Sequence, residues 1–375
     1  MAYVSYTNLT TANEVIEAMV TYITSLGYTI VQPLVDDLNV YDRASSDGKK
    51  FCFQNRNGEF FILLRSVNGT QVFGTTNDAA MDIATPDTNS NYTGVAMTVA
   101  EGYSSTARWY NQYHVPKAKA SVQVYGVFMP VDEGHNYTYT LYCNNLSSPS
   151  DTLIFSLVKD NDTYKQCSHL CYADINKYDT WDGGAFFTGS SPISMMGNAI
   201  RCYEHTQTAD QYILPICSSG TVSNSFLRID IDEAPLVARG EILWASSGTN
   251  NETGKKLALP IRAGTNMNGQ IPHYYYMQSS SRLDWGRNIC TLNAITINMP
   301  IFAAVLVDPD ILDNYAAVGH INGLYFVSLL NMQTSYVYEI SYPDSNKLCQ
   351  VFPACGKRRG IHGFDGISIQ QFVEE

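Results

Sequence analysis

The chain has 375 residues, only 15% of them charged, a net charge of −12 and a pI near 5. An ordinary soluble protein carries roughly a quarter charged residues, so this composition suits β-rich proteins with broad, uncharged, partner-covered surfaces. The acidic balance argues against a nucleic-acid partner, which needs clustered Lys and Arg; the one basic knot, Lys357-Arg358-Arg359, reads as a solvated loop.

The length is enough for two or three domains or layers. The N-terminal sequence lacks a basic start, an apolar stretch and a small-residue cleavage site, so the expectation is a chain that stays in the cytosol where it is made. No run of 18 apolar residues occurs, so no membrane span is expected. Nine cysteines are scattered without paired spacing, which in a reducing compartment predicts mostly buried thiols.

In chain order, Thr11 opens a capping box with Glu14. Ile16, Met19, Val20 and Ile23 follow at helical spacing until Gly27 ends the run. Tyr28 to Gln32 then leaves as a strand. Asp47-Gly48, Asn57-Gly58 and Asn68-Gly69 mark hairpin turns at nearly even steps, predicting an antiparallel meander of Lys49–Asn55, Glu59–Ser66 and Thr70–Gly74. Residues 75–100, rich in Thr, Asn, Asp and Ala, read as a long loop or an extended excursion.

Ala120–Pro130 reads as a buried strand ending at a proline, and further strands are predicted at Asn136–Cys143 and Leu153–Val158, where period-two alternation with Tyr and Thr marks half-buried antiparallel pairing. The centre of the chain, Cys167 to Ser190, reads as strand, loop and strand. Its Gly183-Gly184 pair marks a tight turn or bulge that a side chain could not enter. Phe226–Ile231 and Ala294–Val307 are strand-like, the latter with an edge or bend at Pro300. Residues 261–282 read as an ordered loop. The C-terminal strands fall at Ile321–Val327, Tyr336–Ile340, Cys349–Pro353 and Gly366–Ile369.

The fold class that follows is α+β, mostly antiparallel β-sheet, with an N-terminal helix packed on a β-meander. Two units are expected: residues 1–115, helix plus meander, and residues 116–375, a larger β-rich body with a sub-boundary near 235.

Candidate chemistry is sparse. Cys167-Ser-His169-Leu-Cys171, with His205 as a fourth ligand, has the residue types of a zinc site. On an extended strand, however, residues 167, 169 and 171 stand about 6 to 7 Å apart along one face, which suits packing better than a tetrahedron. Gly248 to Lys256 has five residues between glycines where a phosphate loop has four. Lys256 also stands where a magnesium-binding hydroxyl is needed, so the segment reads as a turn. Asp308, Asp310 and Asp313 offer oxygens but lack the glycine and distant glutamate of a calcium loop. Asp230, Asp232 and Glu233 read as solvated carboxylates. No cofactor or metal is expected. The aromatic groups Trp109-Tyr110, Tyr274-Tyr275-Tyr276 and Trp285 are the candidate interface residues, because Tyr and Trp anchor the centres of protein contacts; sugar stacking is the competing use.

Several of these pieces resemble a family of tailed-bacteriophage virion structural proteins of the tail and baseplate. They are the Met-Ala-Tyr start, the early helix closing at Gly27-Tyr28, the hairpin Phe51 to Arg65, and Trp109-Tyr110 leading to Tyr125-Gly126-Val127-Phe128-Met129-Pro130. The central Cys167–Ser190 block, Gly323 to Val327 and Cys349 to Ala354 complete the match. The resemblance implies a non-enzymatic subunit made in the host bacterial cytoplasm and built into the virion tail. Its partners would be other virion proteins and further copies of itself. The alternatives are a receptor- or carbohydrate-binding tail-fibre protein, with a host-surface glycan as ligand, and a tail-associated glycan hydrolase, which would need two carboxylates flanking a cleft.

Overall fold

The computed structural model describes residues 3–36, 48–68, 93–107, 112–115, 126–131, 133, 136–161, 167–189, 225–230, 243–246, 261–262, 298–306, 315–328, 332–340, 346–353 and 365–371. The first elements are strand β1 (Tyr3–Leu9), helix α1 (Ala12–Ser25) and five strands: β2 (Thr29–Asp36), β3 (Lys49–Gln54), β4 (Phe61–Asn68), β5 (Thr93–Ala100) and β6 (Val127–Pro130). Next come β7 (Tyr139–Leu146), β8 (Thr152–Lys159), β9 (Cys167–Asp174), the two-residue β10 (Asn176–Lys177), β11 (Asp182–Gly189), β12 (Ser225–Asp230) and β13 (Leu243–Ser246). The remaining strands are β14 (Ile261–Arg262), β15 (Met299–Leu306), β16 (Tyr315–Ser328), β17 (Val337–Ile340), β18 (Lys347–Pro353) and β19 (Asp365–Gln370).

The helix starts where the sequence says it should. Thr11 accepts a hydrogen bond from the Glu14 amide at 3.2 Å, and the Glu14 carboxylate returns to the Thr11 amide at 3.2 Å. Two amides that no intrahelical carbonyl could satisfy are thereby paired. The Glu14 carboxylate also accepts the Thr10 amide at 2.7 Å, and that bond foremost, with the Thr11 contacts, holds the carboxyl below its ordinary pKa. Gly27, with φ +75, ends the helix. Its buried stripe is Ala12, Val15, Ile16, Ala18, Met19, Tyr22 and Ile23, with Val20 at the margin.

Three antiparallel sheets make up the described part of the chain, and the helix packs between two of them. The first is the meander β2-β3-β4-β5-β6, the central one runs β1-β7-β8-β9-β11-β12-β13, and the third runs β14-β15-β16-β19-β18-β17. One core lies between the helix, the meander and one face of the central sheet. It joins Ile16, Met19 and Tyr22 to Phe53, Leu64 and Met97, and to Leu141, Leu153, Phe155 and Leu157. A second core lies between the other face of the central sheet and the third sheet, with Ile154, Val158, Cys171 and Phe186 against Ile321, Leu324, Phe352 and Ile367. Strand β8 therefore alternates between two interiors, and all eight of its residues are buried. Each of its large apolar side chains contributes about 2 kcal/mol by leaving water.

The helix-on-meander expectation holds, and so does the dominance of antiparallel sheet. Three local expectations change. Residues 93–100, read as part of a long loop, form β5, which pairs with β4 along its whole length; the run Val95-Ala-Met-Thr-Val-Ala is buried on both sides, while the Thr- and Asn-rich composition comes from the residues before it. β1, not anticipated as a strand, pairs with β7 and carries residues 3–9 into the central sheet. The strand expected to end at Pro130 is present as β6 and joins the meander beside β5. Asn176-Lys177, expected in a loop, leaves the central sheet to pair with Gly319 and His320 of β16. The predicted strand Thr70–Gly74, and the parts of the 120–130 and 261–282 segments not named above, lie outside the described residues.

The central glycine pair is a bulge, as its spacing predicts. The register of β11 against β12 shifts between Gly183 and Phe186, and Gly183 and Gly184 have φ of +93 and +100. A Cβ on Gly183 would lie 2.4 Å from the Arg228 carbonyl oxygen of the neighbouring strand. At Pro300 the register of β15 also shifts, as expected of a residue that cannot donate to a ladder. Gly183→Ala combines a left-handed backbone with a backbone clash and should lower stability by about 3 kcal/mol, read as a fall in the thermal or urea midpoint.

Candidate functional site

Four places gather polar or reactive side chains. The first is a joint between the meander and one end of the central sheet. The tight turn after β3 presents Asn55 and Arg56. Asn55 Oδ1 accepts the amides of Glu59 at 3.0 Å and Phe60 at 2.9 Å, and its Nδ2 donates to Asp174 Oδ1 at 3.2 Å. Arg56 reaches Asp151 Oδ1 at 3.3 Å, Asn145 Oδ1 at 3.2 Å and the Leu26 carbonyl at 3.5 Å, with its guanidinium 4.4 Å above the Tyr28 ring. The Tyr28 hydroxyl donates to Asp151 Oδ2 at 2.5 Å, and Asn145 Nδ2 donates to Asp151 Oδ1 at 2.9 Å. Tyr172 donates to Asp174 Oδ1 at 2.7 Å.

The electrostatics follow from burial. Asp174 is pushed up to about 6 by desolvation, against partial relief from the Tyr172 and Asn55 hydrogen bonds. The Tyr28 hydroxyl is raised by burial and by the Asp151 charge it faces. Asp151, 3% exposed, meets a guanidinium, a phenol and an amide, so its charge is compensated inside the protein. The arrangement joins the end of α1, the β3–β4 turn, the start of β8 and the end of β9. Both carboxylates are occupied by protein donors, and the chemistry available to them is that of a clamp.

The second place is the zinc-like run of the central block. Cys167, His169 and Cys171 share the face of β9 that meets the third sheet, as the strand spacing predicts. His169 stands opposite Ser156 of β8, and the two meet at 2.8 Å through Nδ1 and Oγ. The His169 ring lies edge-on to Phe352 at 6.1 Å. All of these side chains are buried. Among the described residues no group of three His, Cys, Asp or Glu is placed to hold a metal ion, and His205 lies outside those residues. Cys52, Cys143, Cys167, Cys171 and Cys349 are free and buried. Burial raises their pKa values, Cys349 to about 11, which disfavours the reactive thiolate.

The third place fastens the segment after β5 to the far part of the central sheet. Arg228 of β12, 1% exposed, donates through Nε to Glu101 at 2.5 Å, and the other oxygen of Glu101 meets His114 Nδ1. Tyr113 stacks on His114 with ring centroids 3.8 Å apart.

The fourth place is an open rim where β1 and β17 form the same side of two stacked sheets. β18 runs out from under the central sheet. Phe352 is buried against Tyr142 and His169, and Gln350 is buried, hydrogen-bonded to Asn144 at 3.3 Å and to the Tyr3 hydroxyl at 3.1 Å. Leu348, next on that face, is 39% exposed. Its neighbours across the β17–β18 ladder are Glu339, paired with Leu348, and Val337, paired with Gln350; Val337 is 47% exposed. Tyr3 is also exposed, as is Tyr336 just before β17.

The candidate interface residues Trp109, Tyr110, Tyr274, Tyr275, Tyr276 and Trp285 lie outside the described residues, as do Asp232, Glu233, Gly248–Lys256, Asp308–Asn314 and Lys357–Arg359. The clamp residues and the rim are sites that sequence reasoning missed. Arg56 and Asp151 are 95 positions apart, and no local motif announces either. The alternation Tyr336-Val337-Tyr338 was visible, but not which of its faces lacks a cover. No helix among the described residues is long and apolar enough to cross a membrane. No known family model matches the chain, and no curated protein matches its sequence.

The clamp generates two expectations. Asp151→Ala removes the shared acceptor and leaves Arg56 and Tyr28 without it, so stability should fall by about 3 kcal/mol in urea unfolding. Asp174 has a folded-state pKa above its unfolded value, so its contribution is fully present below about pH 4 and is lost as pH rises through 6. Asp174→Asn should therefore gain about 1 kcal/mol over wild type at pH 7.5, and that difference should shrink toward pH 4 in parallel thermal melts.

Proposed function

We propose that this chain is a structural subunit of a bacteriophage tail, at the baseplate or tail periphery, and that it works by protein–protein assembly. Its partners are other virion proteins and further copies of itself, and its destination is the virion after synthesis in the host cytoplasm. The observation that carries this reading is the contrast between interior and rim. Among the described residues the polar clusters are locked into internal contacts, whereas Tyr3, Val337 and Leu348 stand exposed at the rim. Exposed apolar and tyrosine side chains at a sheet edge are what a contact surface needs. The low charged fraction and the resemblance of the Cys167–Ser190 block point the same way.

Cryo-electron microscopy of the particle encoded with this chain, with mass spectrometry of its purified proteins, tests the reading. The expected result is a fixed number of symmetry-related copies packed among other subunits at the tail end. Absence from purified particles, or a position hanging free at a fibre tip, would overturn it.

A further inference from the structure

The two carboxylates of the clamp differ in what answers them. Arg56 commits each of its three nitrogens elsewhere: Nε to Asp151 at 3.3 Å, Nη2 to Asn145 at 3.2 Å and Nη1 to the Leu26 carbonyl at 3.5 Å. Asp174 is left with neutral donors, the Tyr172 hydroxyl at 2.7 Å and Asn55 Nδ2 at 3.2 Å, both on Oδ1. Among the described residues no Lys, Arg or His is ion-paired with it.

The charged and titratable groups that face Asp174 make an anion there harder to keep. Asp151 of β8, whose carbonyl takes the Asp174 amide at 2.8 Å, and Glu59 of the β3–β4 turn both repel it. The phenols of Tyr172 and Tyr28 are held in their protonated form by burial. Across the β9–β11 ladder its partner is Ala185, which brings no charge. Asn55 carries the state of this carboxyl into the turn, because its Oδ1 accepts the Glu59 and Phe60 amides at 3.0 and 2.9 Å while its Nδ2 reaches Asp174. A neutral carboxyl keeps both bonds, since Oδ1 accepts as a carbonyl oxygen while Oδ2 holds the proton. An ionised one carries a charge with no cation beside it, and gains water when the turn moves off the end of β9.

We propose that Asp174 makes this joint a proton-operated latch: the protonated carboxyl holds the β3–β4 turn against the end of β9, and its ionisation lets the turn lift and admit water. The window follows from the rise of Asp174 to about 6, against roughly 3.9 for a free aspartate. The closed joint binds the proton more tightly than the open one, so closure is strongest below about pH 4 and is lost as pH rises through 6. The opening constant should rise about tenfold between pH 4.5 and 7.5, less than two full pKa units allow, because water already reaches part of the half-buried carboxyl.

The test is hydrogen exchange of the full chain between about pH 4.5 and 7.5, with each amide's rate divided by its intrinsic rate at that pH. Protection of the Glu59 and Phe60 amides should fall about tenfold across this range in the wild type. In Asp174→Asn, which has the same shape and no charge to gain, it should stay level. The amides of the β17–β18 ladder, remote from the joint, should stay level in both chains. A carboxyl-carbon NMR titration of Asp174 in the wild type should give a midpoint near 6, a reading that does not depend on the variant folding. Level protection of Glu59 and Phe60 in the wild type, a fall that persists in Asp174→Asn, or a midpoint below about 4.5 would overturn the latch. An equal fall at β17–β18 would overturn it as well, because the whole protein and not the joint would then be responding to pH.

Discussion

The structure depends on the desolvation of its central sheet from both sides. With the helix and meander on one face and the third sheet on the other, strands β8 and β9 have almost no contact with water. Any polar side chain placed there must find its partner inside the protein or cost a few kcal/mol. This explains why Ser156 and His169 stand in register with each other, and why Asn144, Gln350 and Tyr3 form a chain of amide and phenol contacts across two sheets. Apolar packing alone would tolerate a small slide of one sheet over another. These pairs tolerate none, because a shift by one residue would leave both partners buried and unpaired.

The same constraint governs the joint at the end of the stack. Arg56 is carried into place by a turn in the meander, and its acceptors come from the beginning and the end of strands in a different sheet. Because Asp151 also takes the Tyr28 hydroxyl, the C-terminal end of the helix is fixed in the same network. The short β10 makes a comparable tie on the opposite side: two backbone positions of the central hairpin are bonded into the third sheet, with the Trp181 indole donating to the Val318 carbonyl at 3.2 Å. Three sheets that share no strand are thus held by a few long-range polar contacts laid over two apolar cores.

Much of the local structure was legible in the sequence because its causes are local. The helix is announced by Thr11, Glu14 and Gly27, the β3–β4 hairpin by Asn57-Gly58, and the bulge by Gly183-Gly184; each is a matter of backbone chemistry within a few residues. Period-two alternation located most of the later strands. What escaped was decided at long range. Nothing in Tyr3–Leu9 says that its partner lies near residue 140, and β5 was obscured by the Thr- and Asn-rich residues that precede it. The rim was invisible for the same reason: Leu348 and Phe352 occupy equivalent positions on one strand, and only the reach of the neighbouring sheet makes one surface and the other core. The clamp was invisible because a buried Arg–Asp pair needs no motif, only geometry. The aromatic residues singled out from the sequence fall outside the described residues.

The pairing of β1 with β7 also sets an order of events during synthesis. Its partners, Tyr139 to Asn144, emerge from the ribosome some 140 positions later, a wait of roughly 10 to 30 s at ordinary elongation rates. In that interval the meander can close on itself, because its first hairpin is local, but β1 has no edge to join. A seven-residue segment with no charge and no proline is then exposed on a nascent chain, the kind of sequence that associates with its neighbours on a polysome. β1 is made well before the strand it pairs with, and how quickly the 139–159 hairpin follows it sets how long that exposure lasts.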